Sequence, residues 1–150
     1  MAYAPGKALM GHMLLAALVV CLVSRVVQAE ETATRAKYNW VMHCQGCHGA
    51  DAQGAPGGTP AMRGVVARFL QTARGRAFLG RVPGVAFANL SDVETAEVLN
   101  WMLEQFDSRH LPRDFIPYTA AEMTALRSQP LIADAHRERS RILRSIARAK

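Results

Sequence analysis

The longest apolar stretch of the chain runs from about Leu9 to Val23, broken only by Gly11 and His12. Downstream the pattern becomes periodic. Ala33, Ala36, Trp40 and Val41 make one apolar side, which predicts a helix over 32–44. Residues 49–64 lose that spacing and are rich in Gly, Ala and Pro, so they read as loop. Val65, Val66, Phe69, Leu70, Phe78 and Leu79 anchor helical pieces over 65–80, with a break expected at Gly75. The clearest helix covers 92–106. Ser91 and Glu94 have capping-box spacing at its start. Val98, Leu99, Met102, Leu103 and Phe106 share one face, with Glu94, Glu97 and Glu104 away from it. Thr119 and Glu122 form a second capping box and open a short helix to about Arg127, stopped by Pro130. Residues 134–149 read as a basic helix whose small apolar face is Ile142, Leu143 and Ile146. It is expected on the surface, with modest contacts. Nothing alternates strand with helix, so the class is all-α.

The apolar N-terminal run changes the domain picture. Lys7 precedes it, and Val27-Gln28-Ala29 leads into Glu30-Glu31. A basic start, an apolar core and a small residue before acidic ones define a secretory signal, with cleavage expected after Ala29. The rival is an uncleaved membrane anchor, against which stands a run short of the ~20 residues a spanning helix needs. The expected layout is therefore a signal at 1–29, a domain at 30–110 and a helical, basic C-terminal extension at 111–150. Charge follows that layout. The net +6 resides at the two ends, because residues 30–133 carry ten basic and ten acidic side chains. The basic tail has no aromatic residue, so nucleic acid is not an expected partner. An anionic membrane surface is a conceivable contact for it.

Candidate chemistry centres on Cys44-Gln45-Gly46-Cys47-His48, a C-x-x-C-H pattern. Two thiols three positions apart sit on one helical turn, each able to form a thioether to a porphyrin vinyl group. The following His48 can present its imidazole to the iron. A redox dithiol lacks the expected strand–helix alternation. A zinc site lacks a second cysteine pair, and His43 with its neighbours is too crowded for tetrahedral geometry. Cys21 lies in the apolar run and leaves with a cleaved signal. A single covalent haem c is the expected cofactor. Trp40, Phe69, Phe78, Leu99 and Phe106 are the expected packing surface for it. No paired acids or nucleophile–base set stands near this segment, so an independent enzyme is not expected.

With these residues in hand, the chain resembles the class I cytochrome c family over residues ~32–107. Trp40, four before the first cysteine, and Trp101 stand where that family has the aromatics of two crossing helices. Ala36 replaces the usual glycine at the crossing. Gly49, Asp51 and Gly54 match the usual continuation of the motif. Pro60-Ala61-Met62-Arg63-Gly64 resembles the P-x-L-x-G loop. The resemblance implies that the Pro60 carbonyl orients His48, and that Met62 packs on the haem from the same side. It also implies an all-α fold around one covalent haem. The departure is at Arg81-Val82-Pro83-Gly84, where Val82 occupies the slot of the family's axial methionine. The sixth iron ligand is thus open, with His110 and Met102 as candidates and Met123 behind them.

Three functions follow from the resemblance. The first is single-electron carriage between redox proteins of the periplasm or its membrane. The second is a five-coordinate haem that binds small ligands, senses them or performs redox catalysis, as Val82 allows. The third is a subunit acting only when docked. Arg63, Arg68, Arg74, Arg76 and Arg81 fall between Asp51 and Asp92 with no acid among them, an expected docking face for an acidic redox partner.

Overall fold

The computed structural model describes residues 6–149, and among these every regular element is helical. In order they are α1 (Gly6–His43), α2 (Gln45–His48), a 3₁₀ segment (Val66–Gln71), α3 (Ala73–Arg81), α4 (Pro83–Ala86), α5 (Asp92–Asp107), a 3₁₀ turn (Ser108–His110), α6 (Ala120–Arg127) and α7 (Ala135–Arg148). They form two compact units, Met1–Thr34 and Arg35–Lys150.

In the first unit the helix begins far ahead of the expected residue 32. No Gly or Pro occurs between His12 and His43 to interrupt it. Leu18, Val20, Leu22, Val23 and Val26 are all exposed. Among the described residues, no helix is long and apolar enough to cross a membrane. The first residues of the proposed signal, 1–5, lie outside the described residues.

The second unit holds the core. Ala36 and Trp40 are buried at the end of α1. The Trp40 ring meets Trp101 at 6.2 Å and Phe106 at 4.8 Å, both on α5. Arg35 clamps the same contact by donating to both Glu97 oxygens, at 2.8 and 2.6 Å. The cap expected for α5 is complete: Glu94 N–H donates to Ser91 Oγ and Ser91 N–H donates to Glu94 Oε2. The second box is only half made. Thr119 Oγ1 accepts from Glu122 N–H at 3.2 Å, but the Glu122 carboxylate binds Arg76 instead of turning back. The break between the 3₁₀ segment and α3 falls at Thr72 rather than at Gly75. The Thr72 side chain caps α3 by accepting from Gly75 N–H at 3.0 Å.

The C-terminal extension packs far more closely than its sequence suggests. Ile142 and Ile146 of α7 and Met123 of α6 are buried in the same core as Leu103, Phe69 and Trp40. Each buried isoleucine contributes about 1.5–3 kcal/mol relative to exposure. α6 lies so close to α3 that a side-chain carbon on Gly80 would stand 2.6 Å from Leu126. The apolar face of α7 is thus committed to the core.

Candidate haem site

The last turns of α1 fix where the cysteines stand. Cys44 N–H closes the helix on the Trp40 carbonyl at 2.9 Å. His48 N–H then bonds the Cys44 carbonyl at 3.1 Å, so Cys44 caps α2 and this one further turn brings both thiols and the imidazole together. Beyond it the loop folds back tightly. Gly54 N–H donates to the His48 carbonyl at 2.8 Å, with Gly54 at φ +72°, where a side chain would also strike Ala61 N. Met62 N–H donates to the Ala52 carbonyl at 2.9 Å, which holds the Pro60–Met62 segment against the motif.

These elements enclose a cavity of about 660 Å³, the size range of a cofactor pocket. Cys44, Cys47, His48 and Trp40 line it, together with Pro60 and Met62 of the loop that folds back on the motif. Val82 and Pro83 contribute from the α3–α4 junction. Leu99 and Met102 contribute from α5, and Phe69 and Phe78 from the segments before it. Among the described residues no Asp or Glu lines it; the basic lining residues are His43, His48, His136 and Arg139. A mainly apolar space with a cationic border suits a flat hydrophobic group that carries carboxylates.

The polar atoms agree. His48 Nδ1 is buried with no completed hydrogen bond. Burial holds the imidazole below its usual pKa, opposed by the Pro60 carbonyl beside it. The ring is therefore neutral, the form that binds iron. The Pro60 carbonyl lies beside the ring, but no hydrogen bond joins the two. The Trp40 Nε1–H is also buried without an acceptor. Burial, reinforced by Cys47, pushes the Cys44 thiol up to about 11. A reactive dithiol or a thiolate metal site needs the opposite shift.

Of the site residues read from sequence, Cys44, Cys47, His48, Trp40, Pro60, Met62 and Met102 all meet in this cavity. His110 does not. Its Nδ1 pairs at 2.5 Å with Oδ1 of Asp107, a buried carboxylate whose other oxygen accepts from Ala67 N–H. Met123 is fully buried in the core away from the lining. Phe106 packs on Trp40 and Trp101 instead of facing the cavity.

Three residues of the arginine stretch make contacts within the chain. Arg74 pairs with Glu138 of α7 and Arg76 with Glu122 of α6. Arg81 Nε donates to the Gln129 carbonyl at 2.6 Å. The missing acids come from the extension, so three of the five arginines hold it in place. Arg63 lies 3.6 Å from Asp51 across an exposed pair, and Arg68 Nε is buried without a partner.

Sequence reasoning missed the extension's share of the cavity: Ile132, Ala133, Ala135, His136 and Arg139 all line it. A signal was present. His136 and Arg139 continue the Ile142–Ile146 stripe toward the N-terminus of α7 in steps of three. It also missed Arg127, whose guanidinium donates to the Ala88 and Leu90 carbonyls and to Asp92. That residue ties α6 to the segment forming the cavity's far wall.

An all-α chain with C-x-x-C-H lining a haem-sized apolar cavity defines a c-type haem protein. Known sequences agree. The cytochrome c family profile matches residues 33–106. Two cytochrome c-552 sequences of Thermus thermophilus are each 34% identical in an alignment 106 residues long, which covers 59% of this chain and 81% and 72% of their own lengths. No solved structure matches. The chain belongs to the cytochrome c family, whose cofactor is one covalent haem c.

Proposed function

We propose that this protein carries single electrons between redox proteins outside the cytoplasm, using one haem held by thioethers from Cys44 and Cys47. His48 is its nitrogen ligand on the Pro60 side. The observation that carries this reading is the cavity itself, where both thiols, a neutral imidazole and Trp40 converge on one apolar space. The bound haem supplies the ferrous–ferric couple. The chain holds it rigidly, excludes bulk water with Phe69, Phe78 and Leu99, and leaves Cys47 exposed at the edge. Arg139 fits a haem propionate: it lines the cavity with no acid among the lining residues, and burial lowers its pKa. Export is supported by the basic start and apolar run before Ala29. The test is a redox titration of the purified holoprotein with one-electron mediators, together with a pyridine haemochrome spectrum. A reversible one-electron wave and a two-thioether spectrum are expected. Haem lost on acid–acetone extraction, or an irreversible wave, would overturn the reading. A second reading, ligand binding at the iron, is favoured by Val82 on the cavity wall; it requires carbon monoxide to bind the ferrous form.

A further inference from the structure

We propose that His136, on the C-terminal extension, supplies the second axial nitrogen to the haem iron. The inference rests on the haem reading above, and four observations lead to it. First, the wall at the usual methionine slot is built jointly. Leu131 N–H donates to the Arg81 carbonyl at 2.8 Å, which seats the chain leading into α7 beside Val82. Ile132, Ala133 and His136 follow directly and line the same cavity as Val82.

Second, the donors narrow to one. Besides the attachment motif, the nitrogen and sulfur side chains on the lining are His43, Met62, Met102 and His136, with the Trp40 indole and the Arg139 guanidinium, which do not ligate. His43 immediately precedes Cys44 at the end of α1 and so stands with the attachment motif. Met62 belongs to the Pro60 loop and so to the side of His48. Met102 is 5% exposed and packs in the α5 core face. His136 is the donor that follows the Leu131 segment seated on Arg81.

Third, the His136 ring is exposed where the cavity opens, and among the described residues no hydrogen bond or ion pair holds it. Nothing has to break for it to turn inward. Fourth, its platform is fixed. Ile142 and Ile146 are buried, Glu138 pairs with Arg74, and Arg139 Nη2 donates to the Ala61 carbonyl at 3.2 Å. A ligand on an anchored helix is positioned better than one on a loop. The extension then has a chemical role. It replaces the missing sulfur with a second imidazole, a harder ligand that favours the ferric state.

The test compares wild-type holoprotein with His136→Ala by electron paramagnetic resonance of the ferric form and carbon monoxide titration of the ferrous form. The wild type is expected to be low-spin with a two-imidazole signature and to ignore carbon monoxide. His136→Ala is expected to become high-spin and bind carbon monoxide, with added imidazole restoring the low-spin signal. A high-spin or sulfur-ligated wild type overturns the proposal, as does a low-spin His136→Ala identical to wild type. If the variant does not accumulate, the wild-type spectrum alone decides. Failure of the haem reading looks different: no thioether-type haemochrome forms in any variant.

Discussion

Arg76 and Glu122 face each other with two parallel hydrogen bonds, both 2.7 Å, joining α3 to α6. The same guanidinium donates to the Ile116 carbonyl at 2.7 Å and lies 4.1 Å over the Tyr118 ring. One side chain thus binds the extension at three places. Both partners are only partly exposed, so screening is incomplete. Arg76→Ala is expected to cost about 2 kcal/mol, or roughly 5 °C or more in melting temperature. A double-mutant cycle with Glu122→Ala checks it, and additive losses would show that the two groups are not coupled.

Docking of α7 makes a second prediction. Ile142 is 1% exposed. Truncating a buried isoleucine removes transfer energy and leaves a void, so Ile142→Ala should cost about 2–5 kcal/mol. Denaturant unfolding of the holoprotein measures it. A loss under about 0.5 kcal/mol would mean that α7 is a loosely held surface helix, as its sequence suggests.

Much of the haem-holding half was legible because its signals are local. The capping box at Ser91, the stripe ending at Phe106 and the C-x-x-C-H motif each lie within a few helical turns. The half-made box at Thr119 shows the limit: its spacing is local, but Glu122 is taken by an arginine 46 positions away. Likewise Arg74 looked like a free surface charge because its acid is 64 positions on. The place of His110 was hidden because it depends on the burial of Asp107, which pattern alone does not reveal. Long-range pairing, not local propensity, decides how the extension is used.

Cofactor removal should affect more than colour. Without the haem, the apolar walls of a cavity of about 660 Å³ are left facing water or must collapse. A typical domain has only about 5–15 kcal/mol of stability to set against that. The apo-protein, made as Cys44→Ala/Cys47→Ala, should therefore lose cooperative unfolding and sharp near-ultraviolet dichroism. A sharp melt close to that of the holoprotein would show that the chain closes the cavity by itself.

Arg139 brings a positive charge to the cavity, and Phe69 lies beneath it at 6.0 Å. A nearby cation favours the reduced haem, which carries one less positive charge. Arg139→Gln should thus lower the midpoint potential by an amount on the order of 1 kcal/mol, some tens of millivolts. Protein-film voltammetry at low and high salt measures it. An unchanged or raised potential would place the guanidinium away from the haem carboxylates.

Tyr118 makes stability fall at alkaline pH. Its ring is 3% exposed, and its hydroxyl donates to the Arg76 carbonyl at 2.8 Å. Burial raises its pKa well above the ordinary phenol value, and the Arg76 charge opposes this only in part. Below about pH 10 the phenol is protonated both folded and unfolded, so its contribution is complete. As pH rises further, the unfolded chain gives up this proton while the folded chain keeps it. The native state then binds more protons, and stability falls by up to about 1.4 kcal/mol per pH unit until the folded phenol also ionises. Tyr118→Phe removes that proton difference. It should cost about 1 kcal/mol at neutral pH, where the Arg76 carbonyl loses its donor, yet flatten the alkaline limb. Urea unfolding of both proteins between about pH 8 and 11 separates the two effects. Curves that stay parallel across that range would mean the phenol ionises as freely folded as unfolded, and that the packing of α3 against the extension does not bury it.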